Sequence, residues 1–163
     1  MYWWRINPLK AELASGAVSE SEKLKYLMAM LLLYVISGEV SYLAAQADPG
    51  DTLTATDWLS SALFVITTFI GTYYCYRRNR AGDAKCFIER FVCLSWPITI
   101  RFLAIMLLGF AAFFGFGDML GGDQFESWLL EESFLGVAIL LVFQFAFYWY
   151  LARHIYDTAT RNA

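Results

Sequence analysis

Four long apolar runs, separated by short polar breaks, set the layout of this chain. The first covers residues 24–45 and is interrupted by Ser37, Gly38, Glu39 and Ser41. It follows Ser19-Glu20-Ser21-Glu22, where the Ser19-to-Glu22 spacing is that of a capping box at a helix start. Asp48-Pro49-Gly50-Asp51 then reads as a turn. The second run covers 54–76, with Thr54 and Asp57 at capping spacing. Residues 77–85 form a basic hinge in which Asp83 is placed to cap the next helix. The third run, 87–116, holds Pro97, which predicts a kink. Residues 115–123 are a glycine-rich loop, and Asp123 to Glu126 is another capping spacing. The last helix is expected over 125–156, its membrane-spanning part ending near residue 152. Each run is longer than the roughly 18 apolar residues that mark a transmembrane helix.

The predicted fold is an all-α integral membrane protein. Short connections point to a four-transmembrane-helix antiparallel bundle with spans at about 24–45, 54–76, 87–116 and 125–152. Residues 1–23 precede it as a cytoplasmic segment with a short amphipathic helix, and 157–163 follow as a cytoplasmic tail. Within that first segment Pro8 could open a short helix over 9–14, ended by Gly16. Leu9 and Leu13 would then share one face. Ala45-Gln46-Ala47 has the form of a signal-peptidase site. The apolar run before it is too long for a leader, so a retained span is expected.

Composition agrees with this class. The chain is 59% hydrophobic and 18% aromatic, with mean hydropathy +0.48, too apolar for a soluble domain of 163 residues. The net charge of −3 hides a strong asymmetry. Every base except Arg101 falls in the N-terminal segment, the hinge, the C-terminus or the adjoining helix ends. The positive-inside rule therefore places both termini and the hinge in the cytoplasm of a bacterial inner membrane. The opposite face carries Asp48, Asp51, Asp57, Asp118, Asp123, Glu126, Glu131 and Glu132. Cys75, Cys86 and Cys93 form no metal or disulfide pattern and read as small apolar fillers. His154 is the one histidine, which excludes a bis-His haem within one chain. No hydrolase, zinc-protease or phosphate-loop motif is present, so neither an enzyme nor a cofactor is expected.

Three constellations could carry function. Arg101 sits deep in the third run, where an unpaired charge is costly. Glu39 lies about 20 Å into the first helix, at the same depth, so a Glu39–Arg101 pair is expected, as a structural tie or a gate. The second helix carries a stripe of Asp57, Ser60, Ser61, Thr67, Thr68, Gly71, Thr72 and Cys75. It is either a close-packing face or a hydroxyl-lined water path with an acidic mouth. Asp57, Ser61, Thr68 and Thr72, with Glu39 and Arg101, are the pore or gate candidates. The basic end interleaves rings with bases: Trp3, Trp4, Arg5 and Lys10, then Arg77, Arg78 and Arg80 after Tyr73, Tyr74 and Tyr76, then Tyr148, Trp149, Tyr150, Arg153, His154 and Tyr156. It is an aromatic belt on anionic lipid, or a ligand site in which rings stack bases and arginines hold phosphates.

A four-helix bacterial membrane protein with an aromatic, basic cytoplasmic end resembles the channel effector of Hailong-type anti-phage defence. That resemblance is one of architecture and carries no site residue across. It implies a homo-oligomeric, tetrameric ion channel that arrests growth when open. It also implies a DNA oligomer or nucleotide, made by a partner nucleotidyltransferase, that binds the cytoplasmic face and holds the channel shut. From the residues alone, Trp3, Trp4, Arg5, Lys10, Arg77, Arg78, Arg80 and Arg153 are the candidate ligand contacts. One four-helix protomer is too thin to enclose a wide pore, so conduction requires a symmetric homo-oligomer. Two rival readings stand: a small drug-efflux-type transporter using Glu39, and a non-conducting subunit of a larger membrane complex.

Overall fold

The structure is a computed structural model that describes residues 2–47, 55–120 and 134–161. Side chains are described except at 38–47, 55–57, 110, 113, 114, 116–120 and 134–136. Five helices account for nearly all of the described residues: α1 (Ile6–Ser15), α2 (Glu20–Ala47), α3 (Ala55–Arg80), α4 (Phe87–Leu120) and α5 (Phe134–Thr160). Among the described residues three segments, Trp58–Arg80, Phe87–Gly109 and Val137–Thr160, are long and apolar enough to cross a membrane. The elements of the described residues are thus all helices, consistent with a membrane protein.

Local chemistry sets most helix ends. α1 starts two residues before Pro8, which falls in the first turn, where a missing N–H costs nothing. Gly16 ends it at φ 69°, and its N–H donates to the Glu12 carbonyl. Ser19 caps α2, its Oγ accepting from the Glu22 N–H at 3.3 Å. α3 does not stop at Tyr76 but runs through Arg80. Arg77, Arg78 and Arg80 are therefore last-turn residues, where cations offset the negative end of the helix dipole. α4 continues through the buried Pro97. α5 runs on to Thr160, past the expected end at 156.

Short connections predict that successive helices lie side by side, yet the closest pairing joins α3 to α5, two apart in the chain. These two run parallel. Gln144 meets Phe64 and Thr68, Tyr148 meets Gly71 and Cys75, and Ala159 faces Gly82. α2 and α4 also start side by side, where Lys23 pairs with Glu89 at 2.7 Å. α4 meets α5 around Phe102, whose ring contacts Phe143, Phe147 and Tyr150. α1 packs on α4 and α5.

The core gathers at one end. It joins Ile6, Leu9 and Leu13 of α1 to Tyr26, to Cys93, Leu94 and Ile98 of α4, and to Leu151 and Ile155 of α5. The N-terminal segment, the α3–α4 hinge and the end of α5 all meet here. Away from it the helices present bare apolar side chains, among them Leu31, Leu32, Phe69, Ile70, Leu108 and Val142.

Candidate anionic-ligand site

The parallel run of α3 and α5 brings two basic, aromatic helix ends together. Tyr74 and Arg78 are one turn apart on α3, while Trp149, Arg153 and Tyr156 share a face of α5 at helical spacing. Together they line a cleft of about 190 Å³. The Arg78 guanidinium donates to the Tyr74 hydroxyl at 3.0 and 2.8 Å and lies 5.3 Å from that ring's centre and 5.8 Å from that of Tyr156. Arg153 and Trp149 are exposed. No carboxylate lines the cleft. Its donors and rings suit a ligand that is both anionic and flat.

The other expected ligand residues are placed differently. Arg77 and Arg80 are exposed on the last turn of α3. Trp3 and Trp4 are half exposed, and Trp3 packs edge-on to the buried Trp96 at 5.4 Å. Lys10 is only 4% exposed, its Nζ donating to Asp157 at 3.0 Å and to His154 Nδ1 at 3.2 Å. That base fastens α1 to α5 and has no side-chain charge to spare. Arg5 is exposed, beside a second cleft that it shares with Arg101.

Arg101 does have partners, and they come from the N-terminal segment and α5. One Nη donates to the Trp4 carbonyl and the other to the Tyr150 hydroxyl at 3.3 Å, with the guanidinium 5.3 Å from the centre of the Trp4 ring. The side chains of Glu39 and Asp57 lie outside the described residues. Elsewhere the hydroxyl stripe of α3 forms the seam to α5. Gln144 donates to Thr68 Oγ1 at 2.9 Å and to the Phe64 carbonyl at 3.1 Å. Gly71 is buried against the Tyr148 ring, and Cys75 is buried with its thiol 3.7 Å from the Tyr148 carbonyl. Thr72 is half buried. Ser61 is exposed in a groove of about 330 Å³ that it shares with Ser60 and Gln144.

The hinge holds a cluster that sequence reasoning missed. Asp83 does not cap α4; it accepts from both Nη atoms of Arg90, and from the Lys85 N–H at 3.1 Å. Arg90 is 3% exposed and also donates to Asn79 Oδ1 at 2.9 Å, while Asn79 donates to the Lys85 carbonyl at 3.2 Å. This cluster holds Ala84 and Cys86 at φ 57° and 49°, a left-handed conformation that costs non-glycine residues energy. The Arg90 guanidinium keeps the Asp83 carboxyl below its ordinary range. Nothing in the local spacing of Asn79, Asp83 and Arg90 announces the cluster, because it closes only when α4 folds back beside α3.

Among the described residues no group of three His, Cys, Asp or Glu is placed to hold a metal ion. No protein-family model, curated protein or solved structure matches this chain.

Proposed function

We propose that this is a multi-pass membrane protein that binds a nucleotide or short DNA strand at its basic end and, as a homo-oligomer, couples that binding to an ion path. The observation that carries this reading is the cleft of Tyr74, Arg78, Trp149, Arg153 and Tyr156. Rings and guanidiniums at one acid-free site suit stacked bases with phosphates between them. The apolar helix faces support a membrane location, with α2 as a fourth span beside the three apolar segments. The meeting of both chain ends and the hinge at one basic end supports a cytoplasmic placement of that end. Bare apolar faces along α2, α3 and α5 leave room for lipid and for further copies, which a pore requires. An open channel of this kind would arrest growth, as the resemblance to Hailong-type effectors implies.

The test is ion flux from proteoliposomes holding the full chain, with and without a short single-stranded DNA. Flux that the DNA suppresses, and that it no longer suppresses in an Arg78→Gln/Arg153→Gln variant, is the expected result. Absence of flux in every condition removes the channel. The rival reading, a non-conducting subunit, is favoured by the use of the α3 stripe as a seam within one chain. It predicts DNA-independent, silent vesicles and an activity that needs a second protein.

A further inference from the structure

We propose that the cleft between the first turn of α1 and the facing sides of α4 and α5 binds a phosphoryl anion, at a site separate from the aromatic cleft of α3 and α5. The cleft holds about 380 Å³ and is lined by Arg5, Asn7, Arg101, Tyr150 and His154, with Ile6 and Pro8 beside them. No lining residue is acidic. The carboxylate next to His154, that of Asp157, is 4.0 Å from its Nδ1 and is held by Lys10 at 3.0 Å.

Two buried nitrogens in this lining have no hydrogen-bond partner: Arg101 Nε and His154 Nε2. Both are donors. A lysine ammonium can only donate, so His154 Nδ1 accepts from Lys10 and the ring proton sits on Nε2. A buried donor without an acceptor is costly, and buried polar groups are as a rule paired. The backbone adds to the imbalance. α1 begins at the cleft with Arg5 at its N-cap position, no side-chain cap and no acid in its first turn. The first turn, where N–H groups lack helical partners and the dipole is positive, lines the cleft together with Arg5 and Arg101. Both unpartnered buried atoms of the lining are donors and two guanidiniums stand beside them, so the missing partner is an anion with several acceptor oxygens. Two guanidiniums and an imidazole N–H fit a phosphoryl group, which accepts from arginine in a two-pronged geometry. Its source is a soluble phosphate or the headgroup of a membrane lipid.

The experiment uses the full chain in phosphatidylcholine nanodiscs and follows its melting temperature. Inorganic phosphate is the soluble probe; discs containing phosphatidic acid are the lipid probe. At about a hundredfold excess over Kd the probe that binds should raise the melting temperature by about 5–10 °C. A rise with phosphate assigns a soluble source; a rise with phosphatidic acid alone assigns a headgroup. Arg5→Gln removes an exposed charge without touching the core and should abolish most of the rise. Arg101→Lys keeps the charge, loses the fork and should do the same. Arg78→Gln/Arg153→Gln should leave the rise intact, which separates this site from the aromatic cleft. An equal rise with chloride at matched ionic strength overturns the proposal. So does no rise with either probe, or a full rise in the Arg5→Gln protein.

Discussion

Lys10 is a base almost without water around it. Its Nζ depends on Asp157 and His154, and Asp157 itself is 40% exposed. The two partners therefore respond differently to removal. Asp157→Ala strands a buried ammonium and should cost about 2–3 kcal/mol in thermal unfolding of the solubilised protein. Lys10→Met replaces the ion with an apolar chain of similar length and leaves Asp157 to water, so its cost should stay within about 1 kcal/mol. If Lys10→Met is the worse of the two, the ion pair contributes net stability that an apolar chain does not replace. Asp83 offers a second test at this scale. Its carboxyl is held below the ordinary value of 3.8 by hydrogen bonds from Arg90, so its contribution is complete above that pH and is lost as the pH falls through the depressed folded value. Stability of the hinge should thus be flat through the neutral range and drop only in acid. Asp83→Asn should weaken the hinge near neutrality and flatten the acid-limb drop, which hydrogen exchange at residues 81–90 would register. Of these two clusters, the sequence shows the charges but not the partners. Lys10 and Asp157 are nearly the whole chain apart, and Asp83 looks like a helix cap until Arg90 is placed beside it.

At the scale of elements, the α3–α5 seam decides the arrangement. Gly71 gives Tyr148 a seat against the α3 backbone, and a Cβ there would overlap the ring. Gly71→Ala should cost about 1–3 kcal/mol through overpacking, less whatever the better helix propensity of alanine returns. Tyr148→Ala in the same chain should recover part of that loss, and a double-mutant cycle should show a coupling of at least about 0.5 kcal/mol. Additive losses would mean that the ring and the glycine do not meet. Gln144→Leu removes two bonds across the seam and should cost about 1 kcal/mol, at about 0.6 kcal/mol for each interhelical bond in a membrane. The small-residue stripe on α3 was legible as a stripe. Its role as a seam was not, because helices apolar on most sides carry little information about which side meets which neighbour.

At the scale of the molecule, packing among the described residues is concentrated at the basic end, and bare apolar surface lies away from it. This division predicts where thiol reagents reach. Cys86 is exposed in the hinge, whereas Cys75 and Cys93 are fully buried. A membrane-impermeant maleimide should modify Cys86 quickly in inside-out vesicles and not in intact cells, with Cys75 and Cys93 protected in both. Labelling of Cys86 from the outside would invert the proposed topology. The proposed ligand cleft makes a prediction at the same scale, since it draws on two helices and on the charge of the whole end. Trp149→Ala should weaken single-stranded DNA binding about tenfold to a hundredfold, from the loss of one stacking contact. Arg78→Gln/Arg153→Gln should lower the slope of log affinity against log salt by about 1.4.

Run length and cap residues are local properties. The existence of the long helices, the short N-terminal helix with its Gly16 stop, and the Ser19 cap therefore follow from the chain alone. The clustering of bases at one set of helix ends follows from it too, because burying a charge in lipid is costly wherever it falls. The partners were decided by tertiary packing. Arg101 takes the Trp4 carbonyl, 97 positions away, and a backbone carbonyl leaves no mark in a sequence. Tyr74 and Arg78 join Trp149, Arg153 and Tyr156 only because α3 and α5 lie parallel, and that pairing rests on Gly71 admitting the Tyr148 ring. Shape at a few contact points, rather than hydrophobic pattern, chose which helices meet.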